Sequence, residues 1–249
     1  MSDVQLSKSE HIEVLGDNVK VIVSKEHTFG TDALILNAFA NAKRDDKLCD
    51  FGSGCGIIPF LWLRDKKGRE ISAVEIQEQA CDQIRRSLLL NDTDKIDVYN
   101  RDLKEVKYFL PLEYFDLVTM NPPYKTEGTG IKNEDTPSAI ARHEIACKMD
   151  DICKSAFAVL RFGGKFCICI RPERIFDVMT LMHENRIEPK SIRFVQKRGD
   201  TAPWLVLVNG RKGGKAGLKV ESPLIVENDD GSLSNEILAI TEKYRENLT

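Results

Sequence analysis

Apolar residues alternate with polar ones in some segments of the chain and recur at every third or fourth position in others. Two alternating runs, 12–14 and 19–23, flank the turn residues Gly16, Asp17 and Asn18 and predict a β-hairpin. Further apolar runs predict seven strands, at residues 48–56, 71–75, 96–99, 115–120, 165–170, 192–196 and 204–209. Helical spacing predicts helices at residues 35–42, 57–65, 77–91, 150–160, 173–184 and 236–246. Thr31 or Asp32 is expected to cap the first helix.

Strands that alternate with helices of ten to fifteen residues predict an α/β fold, with a mainly parallel seven-stranded sheet and helices on both faces. We expect residues 1–30 to form an N-terminal β-hairpin extension, residues 31–210 the main domain, and residues 211–249 a basic loop and tail packed on it. Ligands of such sheets bind at the carboxyl ends of the strands, at the topological switch point. Glu75 and Asn121 lie at predicted strand ends, as does a glycine-rich loop, and Asp102 lies just beyond another. The pattern therefore predicts one cleft.

The glycine-rich loop runs from Asp50 to Gly56 and carries glycines at positions 52, 54 and 56. Glycines at alternate positions allow a tight turn and a close approach of a ligand to the backbone. Ile57 stands where a dinucleotide-binding fingerprint has its third glycine, and no Gly-Lys-Ser/Thr sequence follows, so a pyrophosphate cradle and a P-loop are both disfavoured. The carboxylate of Asp50 is expected to order the loop or to face a cationic ligand through water.

Two acidic residues follow predicted strands on the far side of this loop. The two oxygens of Glu75 match the vicinal hydroxyls of a ribose, and Asp102 can accept a hydrogen bond from an adenine amino group. Solvated acids at strand ends remain the alternative for both residues. The loop lies about twenty residues upstream of Glu75, at the spacing of nucleoside-binding sites.

The sequence Asn121-Pro122-Pro123-Tyr124 directly follows the apolar run 115–120. Two prolines give a stiff segment with free carbonyl groups, flanked by an amide and an aromatic ring. A strand followed by a proline-rich turn is the plain interpretation. The alternative is a clamp, in which Asn121 Oδ1 and the Pro122 carbonyl each accept an N–H of a planar amine. The nitrogen lone pair then turns toward an electrophile, and Tyr124 stacks on the ring that carries the amine.

These residues resemble the class I S-adenosylmethionine-dependent methyltransferases, which have a Rossmann-like fold. Residues 50–56 look like the cofactor loop of that superfamily, Glu75 like its ribose acid, and residues 121–124 like the motif of members that methylate amino groups. The chain is most similar to the tRNA valine adenine-N6 methyltransferase-like family, through residues 29–33, 50–59, 121–124 and 142–144. The resemblance implies that residues 29–33 close over the cofactor. The predicted cofactor-binding residues are Thr31, Asp32, Asp50, Gly52, Ser53, Gly54, Gly56, Glu75, Ile76, Asp102, Leu103 and Asn121, and the predicted catalytic residues are Asn121, Pro122 and Tyr124.

Charge is distributed unevenly along the chain. The net charge is −3, so a nucleic-acid contact requires a local patch. Residues 190–219 supply one candidate for binding nucleic-acid phosphates, with eight basic residues, one acid and Trp204; a solvated face is the alternative. Residues 125–141 have loop composition and are expected to cover the target, whereas Arg142-His143-Glu144 could make ordinary surface contacts. The predicted substrate-binding residues are Pro123, Tyr124, Lys125, Arg142, His143, Lys197, Arg198, Arg211, Lys212 and Lys215.

The seven cysteines are scattered, and neither Cys167/Cys169 nor Cys147/Cys153 has a second pair at zinc spacing. We therefore predict small buried side chains and no metal. The chain shows neither a signal peptide nor an apolar run of membrane-spanning length, so a cytoplasmic protein with reduced thiols is expected. A monomer is expected, although the sequence does not settle the oligomeric state.

The leading interpretation is a tRNA adenine-N6 methyltransferase, which would use S-adenosyl-L-methionine and no membrane. Glutamine-N5 methylation of a release factor is the first alternative, although such enzymes carry a helical domain ahead of the glycine loop, for which residues 1–49 leave little room. Guanine-N2 methylation of ribosomal RNA also stays open. A DNA adenine methylase would need a target-recognition domain, and a non-catalytic nucleotide-binding module would leave Asn121 to Tyr124 unexplained.

Overall fold

The alternation of strands and helices builds one large sheet and a separate hairpin, in a computed structural model that describes residues 4–122 and 149–245. The strands are β1 Glu10–Gly16, β2 Val19–Ser24, β3 Lys47–Phe51, β4 Glu70–Glu75, β5 Ile96–Asn100, β6 Phe115–Met120, β7 Leu160–Ile170, β8 Ile187–Gln196, β9 Pro203–Lys212, β10 Lys219–Val220 and β11 Leu224–Ile225. The α-helices are α1 Thr31–Ala40, α2 Ile57–Arg64, α3 Glu78–Leu90, α4 Met149–Val159, α5 Ile175–Glu184 and α6 Asn235–Arg245, with 3₁₀-helices at Leu103–Tyr108 and Pro172–Arg174.

The large sheet has the order β10-β8-β9-β7-β6-β3-β4-β5, with β11 also paired to β8. Strand β9 is antiparallel to β7 and β8, and the other pairs are parallel. The predicted Rossmann-like α/β fold is thus confirmed, as is the N-terminal hairpin of β1 and β2. The seven long strands of the large sheet match the predicted number, and the short strands β10 and β11, of two residues each, pair with β8. Strand β3 lies between β4 and β6, which makes the carboxyl end of β3 the topological switch point.

Both faces of the sheet are buried, which explains why its central strands carry apolar residues that face both sides. Leu48 and Leu117 face a core formed with the hairpin, α1, α2 and α6, whereas their neighbours Cys49 and Val118 face a core formed with α4 and α5. The six cysteines among the described residues are free and buried, in agreement with their expected role. Cys147 lies outside the described residues.

The structure changes two local predictions. The sequence 161–164, predicted as the stop of the preceding helix, lies inside β7, where the register with β6 shifts between Phe115 and Leu117. Gly163 has a φ of 76° there, so the glycines mark a bulge. The N-cap of α1 is Gly30, without a side-chain hydrogen bond, so neither Thr31 nor Asp32 caps that helix.

No helix within the described ranges is long and apolar enough to cross a membrane. Within the same ranges, no cluster of three or more His, Cys, Asp or Glu side chains is arranged to hold a metal ion.

Candidate active site

The glycine-rich loop, which follows β3, folds over the end of the neighbouring strand β4. The N–H groups of Gly52 and Ser53 both donate to the carbonyl of Val74, at 2.8 and 3.1 Å. Gly54 N–H donates to Glu75 Oε2 at 2.8 Å. The end of β4 therefore holds the loop through main-chain groups, and the loop in turn fixes the Glu75 carboxylate.

The glycines of the loop are required by its backbone conformation. Gly54 has a φ of 54°, and a Cβ built on it would meet nothing within 4 Å, so the loop is open on that side. Gly56 has a φ of 86°, and a Cβ there would come within 2.9 Å of the Ile84 side chain. The loop thus offers open space beside Gly54 while Gly56 packs tightly against α3. Such an open backbone surface fits a ligand that approaches the main chain closely, as S-adenosylmethionine would.

Glu75 is 5 % exposed, and main-chain N–H groups fix both of its carboxylate oxygens. Oε2 accepts from Gly54, and Oε1 accepts from Gln77 N at 2.9 Å. Each oxygen retains a second lone pair, so the carboxylate is held in place and can still accept hydroxyl groups. Ile76, which follows it, is an exposed apolar side chain at 45 % exposure. A carboxylate with fixed orientation therefore stands beside an exposed apolar side chain.

The next strand end belongs to β5 and carries Asp102. Its Oδ1 accepts the N–H of Lys104 at 2.9 Å, so this carboxylate caps the 3₁₀-helix that begins at Leu103. Leu103 is buried in the core. Asn100 Nδ2 donates to the carbonyls of Glu75 and Ile76, which ties the ends of β5 and β4 together. The roles of Asp102 and Leu103 in cofactor binding stay predictions.

Asp50 is buried in β3 and pairs with a threonine that the sequence did not single out. Thr119 lies opposite it in β6 and donates its hydroxyl to Asp50 Oδ1 at 2.6 Å. Burial raises the pKa of Asp50 from 3.8 to about 7; hydrogen bonds from Thr119 and Ser53 lower it, and the charge of Glu75 raises it. The Asp50 side chain is therefore tied to β6 inside the sheet. Its two expected roles, ordering the glycine-rich loop and facing a cationic ligand, stay predictions.

Asp50→Asn is expected to stabilise the protein at pH 8 by about 2–4 kcal/mol, because a buried charge is replaced by an isosteric amide. The raised pKa means that the native state binds more protons than the unfolded state between pH 3.8 and about 7. The free energy of unfolding of the wild type should therefore fall as pH rises through that window, and the advantage of the variant at pH 4.5 should be only about a quarter of its value at pH 8. Urea unfolding at both pH values measures this, with exposed Asp94→Asn as control. Equal stability of Asp50→Asn and wild type at pH 8 would contradict the account.

Asn121 lies directly after β6, beside the switch point, and its amide has a defined orientation. Nδ2 donates to Asp32 Oδ2 at 3.3 Å, and Oδ1 accepts from the thiol of Cys169 at 3.0 Å. A carboxylate can only accept, so Asp32 requires the NH₂ side of the amide to face it. Oδ1, which the clamp hypothesis uses as an acceptor, therefore points away from Asp32. Pro122 follows as a buried residue.

Neither partner of Asn121 was recognised from the sequence in this role. Cys169 could have been found from strand pairing, since Met120 lies opposite Ile168 and the next position on each strand is Asn121 and Cys169. Asp32 was predicted as a cofactor-binding residue, but its contact with Asn121 joins residues 89 positions apart. Thr31 begins α1 next to it.

The predicted phosphate-binding residues lie at two opposite edges of the sheet. Lys197 and Arg198 follow Gln196, at the carboxyl end of β8, on the same edge as Asn121. They are also paired with acids, Lys197 with Glu227 at 3.5 Å and Arg198 with Asp200 at 3.3 Å. Arg211 lies opposite Lys165, which itself pairs with Leu117 near the start of β6. Arg211, Lys212 and Lys215 therefore lie at the amino-end edge, away from Asn121.

The prediction that Lys212 binds phosphate is wrong. The residue is 4 % exposed. Its ammonium group donates to Glu113 Oε1 at 3.1 Å and to the carbonyls of Phe157 and Leu160 at 2.8 Å each. All three N–H groups of the ammonium are thus used inside the protein. Lys212 joins the end of β9 to the end of α4.

Lys212→Met is expected to lower the free energy of unfolding by about 2 kcal/mol, because two carbonyls lose a charged donor while the alkyl stem is kept. Exposed Lys219→Met is the control and should change it by less than about 0.5 kcal/mol. Urea unfolding measures both. Unchanged stability of Lys212→Met together with weaker RNA binding would restore the phosphate role.

Five of the predicted residues lie outside the described residues. They are Pro123, Tyr124, Lys125, Arg142 and His143. The expected covering loop 125–141 lies outside them as well.

The sequence model of the methyltransferase small domain family matches residues 18–183, two thirds of the chain. This match agrees with the resemblance to class I methyltransferases that the sequence carries.

Two relatives are each named tRNA1(Val) (adenine(37)-N6)-methyltransferase. The chain is 26 % identical to the one from Parabacteroides distasonis over 218 residues, which cover 86 % of this chain and 89 % of the relative. It is 30 % identical to the one from Phocaeicola vulgatus over 142 residues, which cover 57 % and 58 %.

Solved structures share the fold at lower identity. The chain aligns with a predicted O-methyltransferase from Agrobacterium tumefaciens at a TM-score of 0.68 and 21 % identity, over 85 % of this chain and 96 % of the other. It aligns with geranyl diphosphate C-methyltransferase from Streptomyces coelicolor, solved with S-adenosyl-L-homocysteine, at 0.53 and 14 %, over 73 % and 79 %.

Proposed function

Because the chain belongs to the methyltransferase small domain family, we propose that it transfers a methyl group from S-adenosyl-L-methionine to N6 of an adenine in tRNA. The observation that carries the proposal is the position and orientation of Asn121. Its amide follows β6 at the switch point, next to the glycine-rich loop, with Asp32 holding the NH₂ side. The similarity to two proteins named as tRNA methyltransferases supports tRNA as the substrate.

The residues at the ends of β3 and β4 fit the cofactor. The open side of the loop at Gly54 would accommodate the part of the cofactor that lies against the backbone. The Glu75 carboxylate would accept hydrogen bonds from the ribose hydroxyls of the cofactor, and the exposed side chain of Ile76 would contact its adenine. Asp102 would lie beside the adenine amino group. When bound, S-adenosylmethionine supplies an electrophilic methyl group on a sulfonium.

The residues at the end of β6 would prepare the nucleophile. An exocyclic amine of adenine is a poor nucleophile, because its lone pair is delocalised into the ring. Asn121 Oδ1 and the carbonyl of Pro122 would each accept one N–H, which draws the nitrogen toward tetrahedral geometry and turns its lone pair out of the ring plane. Catalysis by this arrangement depends on positioning and electrostatics and needs no strong base. Tyr124 would stack on a base that has left its helix.

A competition among acceptors tests the proposal. Methyl-labelled S-adenosylmethionine is offered to the protein with bulk tRNA, ribosomal RNA and a release factor in parallel. We expect label in the tRNA alone. Label only in protein would overturn the proposal in favour of glutamine-N5 methylation, and label only in ribosomal RNA would overturn its choice of substrate. A tRNA substrate also implies that the enzyme works in the cytoplasm.

A further inference from the structure

A basic cleft lies at the amino-end edge of the sheet, on the side opposite Asn121. We define it by the three loops that enter β3, β4 and β5. It encloses about 360 Å³. Five of its lining side chains are basic and one is acidic: Arg44, Lys66, Lys67, Arg69 and Lys95, with Asp45. This is a strong concentration of positive charge in a chain whose net charge is −3.

In the part of the chain that the structure describes, these cations make few ion pairs that would hold the fold together. Within the described ranges, Arg69 makes the one ion pair of the five, a 3.8 Å contact with Glu70 in which both side chains are about half exposed. Such exposed pairs contribute little. Arg44, Lys66 and Lys95 are exposed at the rim, and Leu63 and Ile71 form the apolar part of the lining. The charge of the cleft therefore faces its interior and solvent.

Helix ends do not account for the cluster. Helices α1, α2 and α3 all end at this edge, and basic side chains often stabilise the carbonyl groups of a helix C-terminus. Here main-chain groups take that role in α2. Lys67 N–H donates to Trp62 O at 2.8 Å, and Lys66 N–H donates to Leu63 O at 3.2 Å. Among the described residues, neither lysine ammonium group makes an ion pair, so both are available to another partner.

We propose that the basic cleft is a phosphate-binding site. Two guanidinium groups provide planar, bidentate donors, and three ammonium groups add point charges, which is the donor set that phosphate oxygens favour. Strand β3 has five residues, so the cleft lies about 17 Å from the carboxyl-end edge. The phosphate belongs either to the backbone of an RNA that also reaches Asn121 or to a small phosphorylated ligand.

Charge reversal in the cleft tests the proposal. The variant Arg44→Glu/Lys95→Glu changes two exposed cations from different loops. The control Arg85→Glu/Lys107→Glu makes the same change of net charge at exposed residues outside the cleft. Thermal unfolding establishes that both variants fold. Binding is measured by fluorescence anisotropy with labelled bulk tRNA and by calorimetry with inorganic pyrophosphate.

The two sources of phosphate give different results. If RNA is the source, the cleft variant binds tRNA at least tenfold more weakly than the control variant. The slope of its log K against log salt concentration is then smaller in magnitude by about 1–2. If a small ligand is the source, tRNA binding of the two variants is equal and the cleft variant alone loses the heat of pyrophosphate binding. Identical behaviour of both variants in both assays would overturn the proposal, as would equal displacement of pyrophosphate by polyglutamate. The outcome is independent of the acceptor competition above, because neither assay measures methyl transfer.

Discussion

Asn121→Ala is expected to lower kcat for methyl transfer by at least about a hundredfold, the size of effect seen when one preorganised polar group is removed from a reacting centre. The Asn121 amide oxygen is one of the two proposed acceptors for the substrate amine, and alanine removes it. Binding of S-adenosylhomocysteine, measured by calorimetry, should change little, because Gly54 and Glu75 hold each other independently of Asn121.

A second asparagine of the same sheet offers a matched control. Asn209 of β9 is also partly buried, and its Oδ1 lies 3.8 Å from a strand thiol, that of Cys167. Asn209→Ala should therefore reproduce any packing loss without the loss of activity. Near-normal turnover by Asn121→Ala would contradict the clamp.

Asp32→Ala is expected to lower kcat by roughly ten- to a hundredfold, because the Asn121 amide loses the acceptor that fixes its orientation. Single-turnover measurements at saturating S-adenosylmethionine test this. Such a loss of kcat would mean that Asp32, which was predicted to bind the cofactor, acts on the substrate amine through its contact with Asn121.

The two roles of Asp32 give different kinetics. A positioning residue lowers kcat with little change in the Kd for S-adenosylhomocysteine, whereas a pure cofactor contact raises that Kd and leaves kcat at saturation unchanged. Cys169→Ser keeps a donor to Asn121 Oδ1 and should retain most of the activity, whereas Cys169→Ala should lose more. If the serine and alanine variants are equally active, the thiol has no positioning role.

The sequence was sufficient for the sheet and for the edge at which the site lies. Apolar runs buried on both faces marked the strands, and βα alternation required their carboxyl ends to meet at one edge. Asp50, Glu75 and Asn121 were predicted to lie at that edge for this reason, and the structure places them there. These three residues lie at one edge of the sheet because of the chain topology, which the pattern of apolar residues can reveal.

One contact between distant side chains was beyond sequence reasoning. The pairing of Asp32 with Asn121 depends on how α1 packs on the sheet, and no local signal encodes it. Lys212 was misassigned for a related reason, since a lysine in a basic run is solvated far more often than it is buried. The basic cleft was missed because its five cations come from three separate loops, each with nearby acids, so no charge run marks it.

Nucleoside analysis of the labelled product tests the central claim most directly. Bulk tRNA is methylated with labelled S-adenosylmethionine by the wild type and by Asn121→Ala, digested to nucleosides, and separated by mass spectrometry. The account predicts label in N6-methyladenosine with the wild type and almost none with the variant. Label in N2-methylguanosine, or equal N6-methyladenosine from both proteins, would contradict it.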